Sequence, residues 1–347
     1  MNVEASVGVA VDVTLEDIDL DFVQLGDTGI QTSELQFGTW RFGKETEAGN
    51  VKIDEARAHE LLDGYEAAGG RFIDTADIYG GGVAEEWIGD WLAERDRERF
   101  TVASKIYWQT REDDPNSRGT SRKNLRHRID AILERLGTEY VDVLYLHRWD
   151  DDTPTRETMR TLSRLVDDGR VHYLGASTLR PNAWKVARAN DHARREGWEP
   201  FTVAQPRYNL VDREIEGDYL EMCRAEGLAV CPWSPLAQGF LTGKYDRTDG
   251  LTGDSLAAES SRFEDAYLTE ANFDVHDELD AVARAVDATP AQVALAWLSA
   301  RDGVTAPIVG ARTLDQLEEN LTAAAVDLAD EQVRRLTEAT DGPYADV

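Results

Sequence analysis

Four polar residues, far apart along the chain, have types that suit carbonyl chemistry when brought together: Asp74, Tyr79, Lys105 and His147. Reducing a carbonyl needs a hydride donor on one side of the carbon and a proton donor at the oxygen, and a tyrosine hydroxyl can serve as that general acid. An unassisted phenol, with a pKa of about 10, is a weak acid at neutral pH. A lysine ammonium beside it would favour the tyrosinate and lower that pKa, and an aspartate beside the ammonium would hold it in place. An imidazole can donate a hydrogen bond to the carbonyl oxygen and orient it for attack. Each residue alone has a plainer reading, as a structural ion pair, a packed loop tyrosine or a satisfied core histidine. Their meaning depends on where the fold puts them.

Short β-rich runs alternate with amphipathic stretches from Leu35 to Leu321, the pattern of a parallel sheet built from βα units. Residues 35–38, 72–74, 101–104, 141–146, 171–176, 201–204, 228–232 and 304–309 read as eight strands. Helical patterns cover 54–68, which stops at Gly69-Gly70, and then 85–93, 122–136 and 155–166. Without a Pro/Gly/Ser-rich linker or a low-complexity tract, eight such units predict an α/β fold. It is a single (β/α)8 TIM barrel over residues 1–347, with a short N-terminal extension at 1–21. In a barrel, chemistry sits at the carboxyl ends of the strands. Asp74, Lys105 and His147 end the second, third and fourth strands, and Tyr79 lies just past the second, so all four converge. Gly80-Gly81-Gly82 follows the second strand and lacks the G-x-G-x-x-G spacing, which disfavours a Rossmann-type dinucleotide fold.

Composition narrows the partners. No run approaches the roughly 18 apolar residues of a membrane span, and Met1 to Asp21 lacks the basic cluster of a secretory signal; a cytoplasmic protein is expected. Cys223 and Cys231 have neither metal-knuckle nor redox spacing and read as core residues. With 37 basic residues against 67 acidic, the net charge of -30 excludes the basic surface that nucleic acid requires. Lysine occurs only at positions 44, 52, 105, 123, 185 and 244. Such a surface repels itself in dilute buffer, and molar salt, with a Debye length of about 3 Å, relieves the repulsion. The expected source is a salt-accumulating organism.

Several motifs then occur in one order: Leu25-Gly26 with Thr28-Gly29, Phe37-Gly38-Thr39-Trp40, and Phe72 through Gly80 with Asp74 and Tyr79. After them come Ser104-Lys105, Tyr145-Leu146-His147-Arg148-Trp149, Gly175-Ala176-Ser177, Gln205, Trp233 through Gly239, and Ile308 through Thr313. This series, over roughly residues 23–340, resembles the aldo-keto reductase superfamily. The resemblance implies NADP(H) as cofactor and a small-molecule carbonyl or alcohol as substrate, an aldehyde, ketone or sugar, with Asp74, Tyr79, Lys105 and His147 as the catalytic set. It implies that Gly38, Thr39, Trp40 and Asp74 border the cofactor, that Ser177 and Gln205 hydrogen-bond the nicotinamide carboxamide, and that Trp233 stacks on the ring. Thr178 stands where many members have Asn. Ser234, Pro235, Leu236 and Gly239, with Lys244, match the loop over the pyrophosphate. Gly310, Arg312, Gln316 and Asn320 match positions around the adenosine. A guanidinium at Arg312 suits a ribose 2′-phosphate, which favours NADP(H), with NAD(H) as the alternative. Two rival functions share the scaffold: a non-catalytic NADP-binding regulatory subunit, and Schiff-base chemistry at Lys105, which would need a neutral amine. Specificity is expected from loops 107–119 and 241–272 and the tail after Asp341, with Trp40, Trp108 and Trp149 at the mouth.

Overall fold

The computed structural model describes residues 14–45, 51, 53–178, 183–245, 247, 263 and 266–340. β1 (Phe22–Gln24) and β2 (Gln31–Ser33) form an antiparallel hairpin. The parallel strands follow: β3 (Gln36–Gly38), β4 (Phe72–Asp74), β5 (Thr101–Ile106), β6 (Val141–Leu146), β7 (Val171–Thr178), β8 (Phe201–Pro206), β9 (Ala229–Val230) and β10 (Ile308–Val309). Their spatial order is β10-β3-β4-β5-β6-β7-β8-β9. Backbone bonds from Thr305 N to the Val230 carbonyl and from Ile308 N to the Pro232 carbonyl, both 2.8 Å, join the two ends of that order. The result is the (β/α)8 TIM barrel that the alternation predicts.

Around the strands lie α1 (Glu55–Ala67), α2 (Val83–Leu92), α3 (Arg122–Leu136), α4 (Thr155–Asp167), α5 (Ala183–Glu196), α6 (Asp218–Glu226), α7 (Glu270–Val286), α8 (Pro290–Ser299), α9 (Leu314–Leu321) and α10 (Asp330–Ala339). Local chemistry sets their limits. Asp54 caps α1 by accepting from Arg57 N, and Ser121 caps α3 through Asn124 N, each satisfying an otherwise orphaned amide. Gly137 ends α3 at φ 60, a left-handed turn that glycine adopts without strain. The seventh and eighth strands are shorter than the apolar runs 228–232 and 304–309 suggest, because Pro232 and Pro307 lack the N–H that a ladder needs. Of the expected N-terminal extension, residues 1–13 lie outside the described residues.

Two apolar layers hold the barrel. The larger lies between strands and helices, with Leu61, Ile88, Ile129, Leu162 and Trp297 among its members. The smaller fills the interior, where Leu25, Phe72, Val143, Tyr145, Val203 and Ile308 meet. Full burial of one such side chain stabilises the fold by about 1.5–3 kcal/mol. Leu25 enters this inner layer from the β1–β2 hairpin, whose turn bonds back through Asp27 N to the Gly227 carbonyl at 2.9 Å. Since Gly227 precedes β9, the hairpin closes the amino-terminal mouth and leaves the carboxyl ends for chemistry. Gly175 makes room for Tyr145: a Cβ there would lie 2.3 Å from the ring. Cys223 and Cys231 are free and buried, and burial pushes both thiols up to about 12. No described helix is long and apolar enough to cross a membrane.

Candidate active site

Parallel register brings the sequence-distant polar residues to one end of the barrel. Asp74 closes β4, and Lys105 lies on neighbouring β5, where its side chain is fully buried. The Lys105 ammonium donates to Asp74 Oδ2 at 2.6 Å, to the Thr75 carbonyl at 2.8 Å and to the Tyr79 hydroxyl at 3.3 Å. Burial alone would lower the Lys105 pKa, but the Asp74 carboxylate and the Tyr79 oxygen raise it above the ordinary lysine value. The amine therefore stays charged, which opposes Schiff-base chemistry. Burial also raises the Asp74 carboxyl, against the pull of Lys105.

Tyr79 departs from the expectation of a lowered pKa. Burial raises it and Lys105 only partly offsets that, because the Asp74 carboxylate beside the ammonium adds its own repulsion. The phenol is thus held protonated, the form that can give a proton away. His147, just past β6, faces Tyr79 edge-on with ring centres 5.9 Å apart. Burial, reinforced by the Lys105 charge, lowers its pKa to about 3, so the ring is neutral at any working pH. Trp108 packs against His147 from another side at 6.2 Å, and Tyr107 packs on Trp108 at 5.3 Å. Trp149 is half-buried and lines a small pocket with Thr120, Met159 and Phe201.

The residues expected around a cofactor fall into two groups. One is continuous with the tetrad. Gln205 donates to Asp74 Oδ1 at 2.8 Å, and Ser177 Oγ donates to the Gln205 carbonyl at 3.0 Å. Thr39 donates to the Asp74 carbonyl from both its amide, at 2.9 Å, and its hydroxyl, at 3.0 Å. Gly38 lies beside Asp74 in register, with Ile308 against its α-carbon, while Trp40 is exposed under the Lys44 ammonium at 3.7 Å. Thr178 ends β7, and its side chain lies outside the described residues.

The second group surrounds the loop after β9. Trp233 is half-buried beneath the Arg207 guanidinium, 6.0 Å away. Asn209 donates to the Ser234 carbonyl at 3.0 Å, Pro235 follows, and Leu236 packs on the outer core. Ser234, Ala237 and Gln238 have φ of 57°, 48° and 57°. Three non-glycine residues in the left-handed region store of order 1–3 kcal/mol each, a cost that clusters at functional loops. Gly239 lies against the Lys244 ammonium, which a Cβ would meet at 2.8 Å. Lys244 has its pKa lowered by burial and by the Arg312 and Arg41 guanidinium groups. Arg312 N donates to Gln316 Oε1 at 3.0 Å, and Asn320 donates to the Gly310 carbonyl at 3.2 Å, so Gln316 and Asn320 also shape the turn that presents Arg312.

Strained backbone beside the Lys244 ammonium, with the Arg312 and Arg41 guanidinium groups near enough to lower its pKa, fits the phosphates of a dinucleotide, which need point charges and exposed amides together. Sequence reasoning missed Arg41, whose neighbourhood with Lys244 arises only when the loop after β3 meets the loop after β9. It also missed Asp77 and Arg128, an ion pair behind the tetrad.

Comparison with known proteins agrees with this geometry. The model of the aldo/keto reductase family matches residues 34–341. A norsolorinic acid reductase of Emericella nidulans is 36% identical, covering 88% of this chain and 77% of its own length. An aryl-alcohol dehydrogenase of Pestalotiopsis microspora is 34% identical, over 90% of this chain and 80% of its own. An NADP(+) aryl-alcohol dehydrogenase of Phanerodontia chrysosporium is 32% identical, over 89% and 83%. A match of this extent, on a barrel with these strand-end residues, means that the chain is an oxidoreductase and belongs to the aldo/keto reductase family.

Proposed function

We propose that the protein is a single-domain NADP(H)-dependent reductase of small carbonyl compounds, aromatic aldehydes and ketones foremost, with Tyr79 as general acid. The observation that carries this reading is the Lys105 ammonium held between Asp74 at 2.6 Å and the Tyr79 hydroxyl at 3.3 Å, with His147 across from it. NADP(H), when bound, supplies the hydride. Tyr79 gives its proton to the carbonyl oxygen as charge develops there, and Lys105 stabilises the tyrosinate left behind. Neutral His147 donates a hydrogen bond to the same oxygen. Gln205 and Ser177 would hold the carboxamide, Trp233 the ring, and Lys244 and Arg312 the phosphates. The aromatic preference rests on Trp108 beside His147, backed by Tyr107, and on the aryl-alcohol dehydrogenases among the relatives.

The cofactor assignment has a direct test. Arg312→Ala should weaken NADPH binding about 10-fold or more, since one charge-assisted contact to phosphate contributes about 1.5–3 kcal/mol, and should leave NADH affinity almost unchanged. Equal effects on both would argue against a 2′-phosphate contact. Proton bookkeeping gives a second expectation. Raised Tyr79 keeps the acid form as pH climbs, and lowered His147 stays neutral as pH falls. Neither Tyr79 nor His147 should therefore put a limb into kcat/KM for reduction between about pH 5.5 and 9. The Asp77 carboxyl, which burial pushes up to about 7, does titrate in this window, so the profile is read in Asp77→Asn as well. Alcohol oxidation, which needs tyrosinate, should rise with pH throughout. A histidine limb in initial-rate profiles would contradict this assignment.

Adaptation to high salt, in the cytoplasm of a salt-accumulating cell, belongs to the same proposal. The net charge of -30 supports it, as do exposed clusters such as Arg247 with Glu270, Asp274 and Asp277. Calorimetry should find the melting temperature rising from dilute buffer to molar KCl. A salt-independent transition would contradict it.

A further inference from the structure

His147 makes no hydrogen bond to a described residue through either ring nitrogen, and its Nδ1 is buried. Its orientation therefore depends on packing, between Tyr79 at 5.9 Å and Trp108 at 6.2 Å, both edge-on. Those rings belong to separate stretches, residues 75–79 after β4 and residues 107–120 after β5. Neither stretch is regular throughout, so the distance between the rings has to be set from outside.

One side chain reaches both. Arg128 projects from α3 and is 3% exposed. Its Nη2 pairs with the fully buried carboxylate of Asp77, two residues before Tyr79, and the Asp77 amide donates to the Lys105 carbonyl at 3.3 Å. Its Nη1 donates to the Trp108 carbonyl at 3.2 Å, the Thr110 hydroxyl at 2.8 Å and the Ser117 carbonyl at 3.2 Å. The neighbouring pair, half-buried Arg135 with buried Glu85, instead fastens α3 to α2 and to Ser104 on β5, where Ser104 donates to Glu85 at 2.5 Å. A planar guanidinium with five donors can serve four acceptors on two segments at once, which a lysine cannot.

We propose that Arg128 is a positioning residue for the reaction: by tying Asp77 to the Trp108 segment, it fixes the two rings that aim His147 at the carbonyl oxygen. This rests on the reading of His147 as the donor to that oxygen. The side chain touches no substrate itself and acts through Tyr79 and Trp108.

The test uses the full chain with Arg128→Met and Asp77→Asn combined, so that no unpaired ion is left in the interior. NADPH affinity should stay within about twofold of wild type, while kcat for benzaldehyde falls about 10- to 100-fold, the scale of a misplacement near 1 Å. The primary isotope effect from deuterated NADPH should rise as hydride transfer becomes limiting. Arg128→Lys should recover only a minor part of kcat. In nitrogen-15 histidine spectra, His147 should be a single neutral tautomer in wild type and a broadened mixture in the double variant. Unchanged kcat with an unchanged His147 signal would overturn the proposal, as would a loss of kcat that merely follows loss of NADPH affinity. Failure of the wild type to reduce benzaldehyde would instead overturn the reductase reading, and the His147 spectra alone would then decide the positioning claim.

Discussion

Tyr79→Phe is expected to lower kcat for aldehyde reduction by about 10²- to 10⁴-fold, the range that a positioned general acid contributes, while NADPH affinity stays the same. The substitution removes one oxygen and little else. The Phe ring keeps the edge-on contact with His147, and Lys105 loses only its 3.3 Å bond while retaining Asp74 and the Thr75 carbonyl. A loss confined to kcat, read by initial rates beside a fluorescence titration of NADPH, therefore reports proton donation rather than a damaged site. If Tyr79 were only a packed loop residue, Tyr79→Phe would leave kcat within a factor of two or three.

Lys105→Met is expected to have the largest combined effect, because it breaks a buried pair by removing one partner. Asp74 would keep the Gln205 amide at 2.8 Å as its side-chain partner, with its charge no longer balanced in the interior. Leaving a buried charge uncompensated costs about 3–5 kcal/mol. Denaturant unfolding should show that loss, and activity should fall to the residual level of Tyr79→Phe or below. Adding Asp74→Asn separates the two consequences. The double variant should recover much of the stability, since no lone carboxylate remains, and should recover none of the activity, since tyrosinate would still lack its cation. Recovery of both would reduce the pair to a structural role.

Most of the barrel was legible because its signal is local. Apolar runs too short for helices alternate with helical periodicity, and the parallel arrangement that follows puts Asp74, Lys105 and His147 at strand ends without any knowledge of packing. The same rule places Ser177, Gln205 and Trp233. Residues whose role depends on tertiary contact were hidden. Asp77 sits two positions before Tyr79 and reads as a surface acid in a chain with 67 acidic residues, until α3 packs against α2 and Arg128 reaches it. Nothing in the spacing of Arg128 marks it apart from its neighbours on the same helix. The β1–β2 hairpin was missed because its three-residue strands carry too few apolar positions to show alternation. The direction of the Tyr79 shift was misjudged for a related reason: a cation beside a phenol lowers its pKa, but the desolvation of the half-buried ring, visible only in the folded chain, outweighs that cation.

The most direct test follows the hydride itself. Wild-type protein in molar KCl is incubated with benzaldehyde and NADPH deuterated at the transferable position of the nicotinamide C4, and the alcohol formed is examined by mass spectrometry, with Tyr79→Phe in parallel. Benzyl alcohol carrying one deuterium from wild type, and almost none formed by the variant, is the result expected of a reductase with Tyr79 as its acid. Tight NADPH binding with no deuterated alcohol from either protein would contradict the account and favour an NADP-binding regulatory subunit on the same barrel.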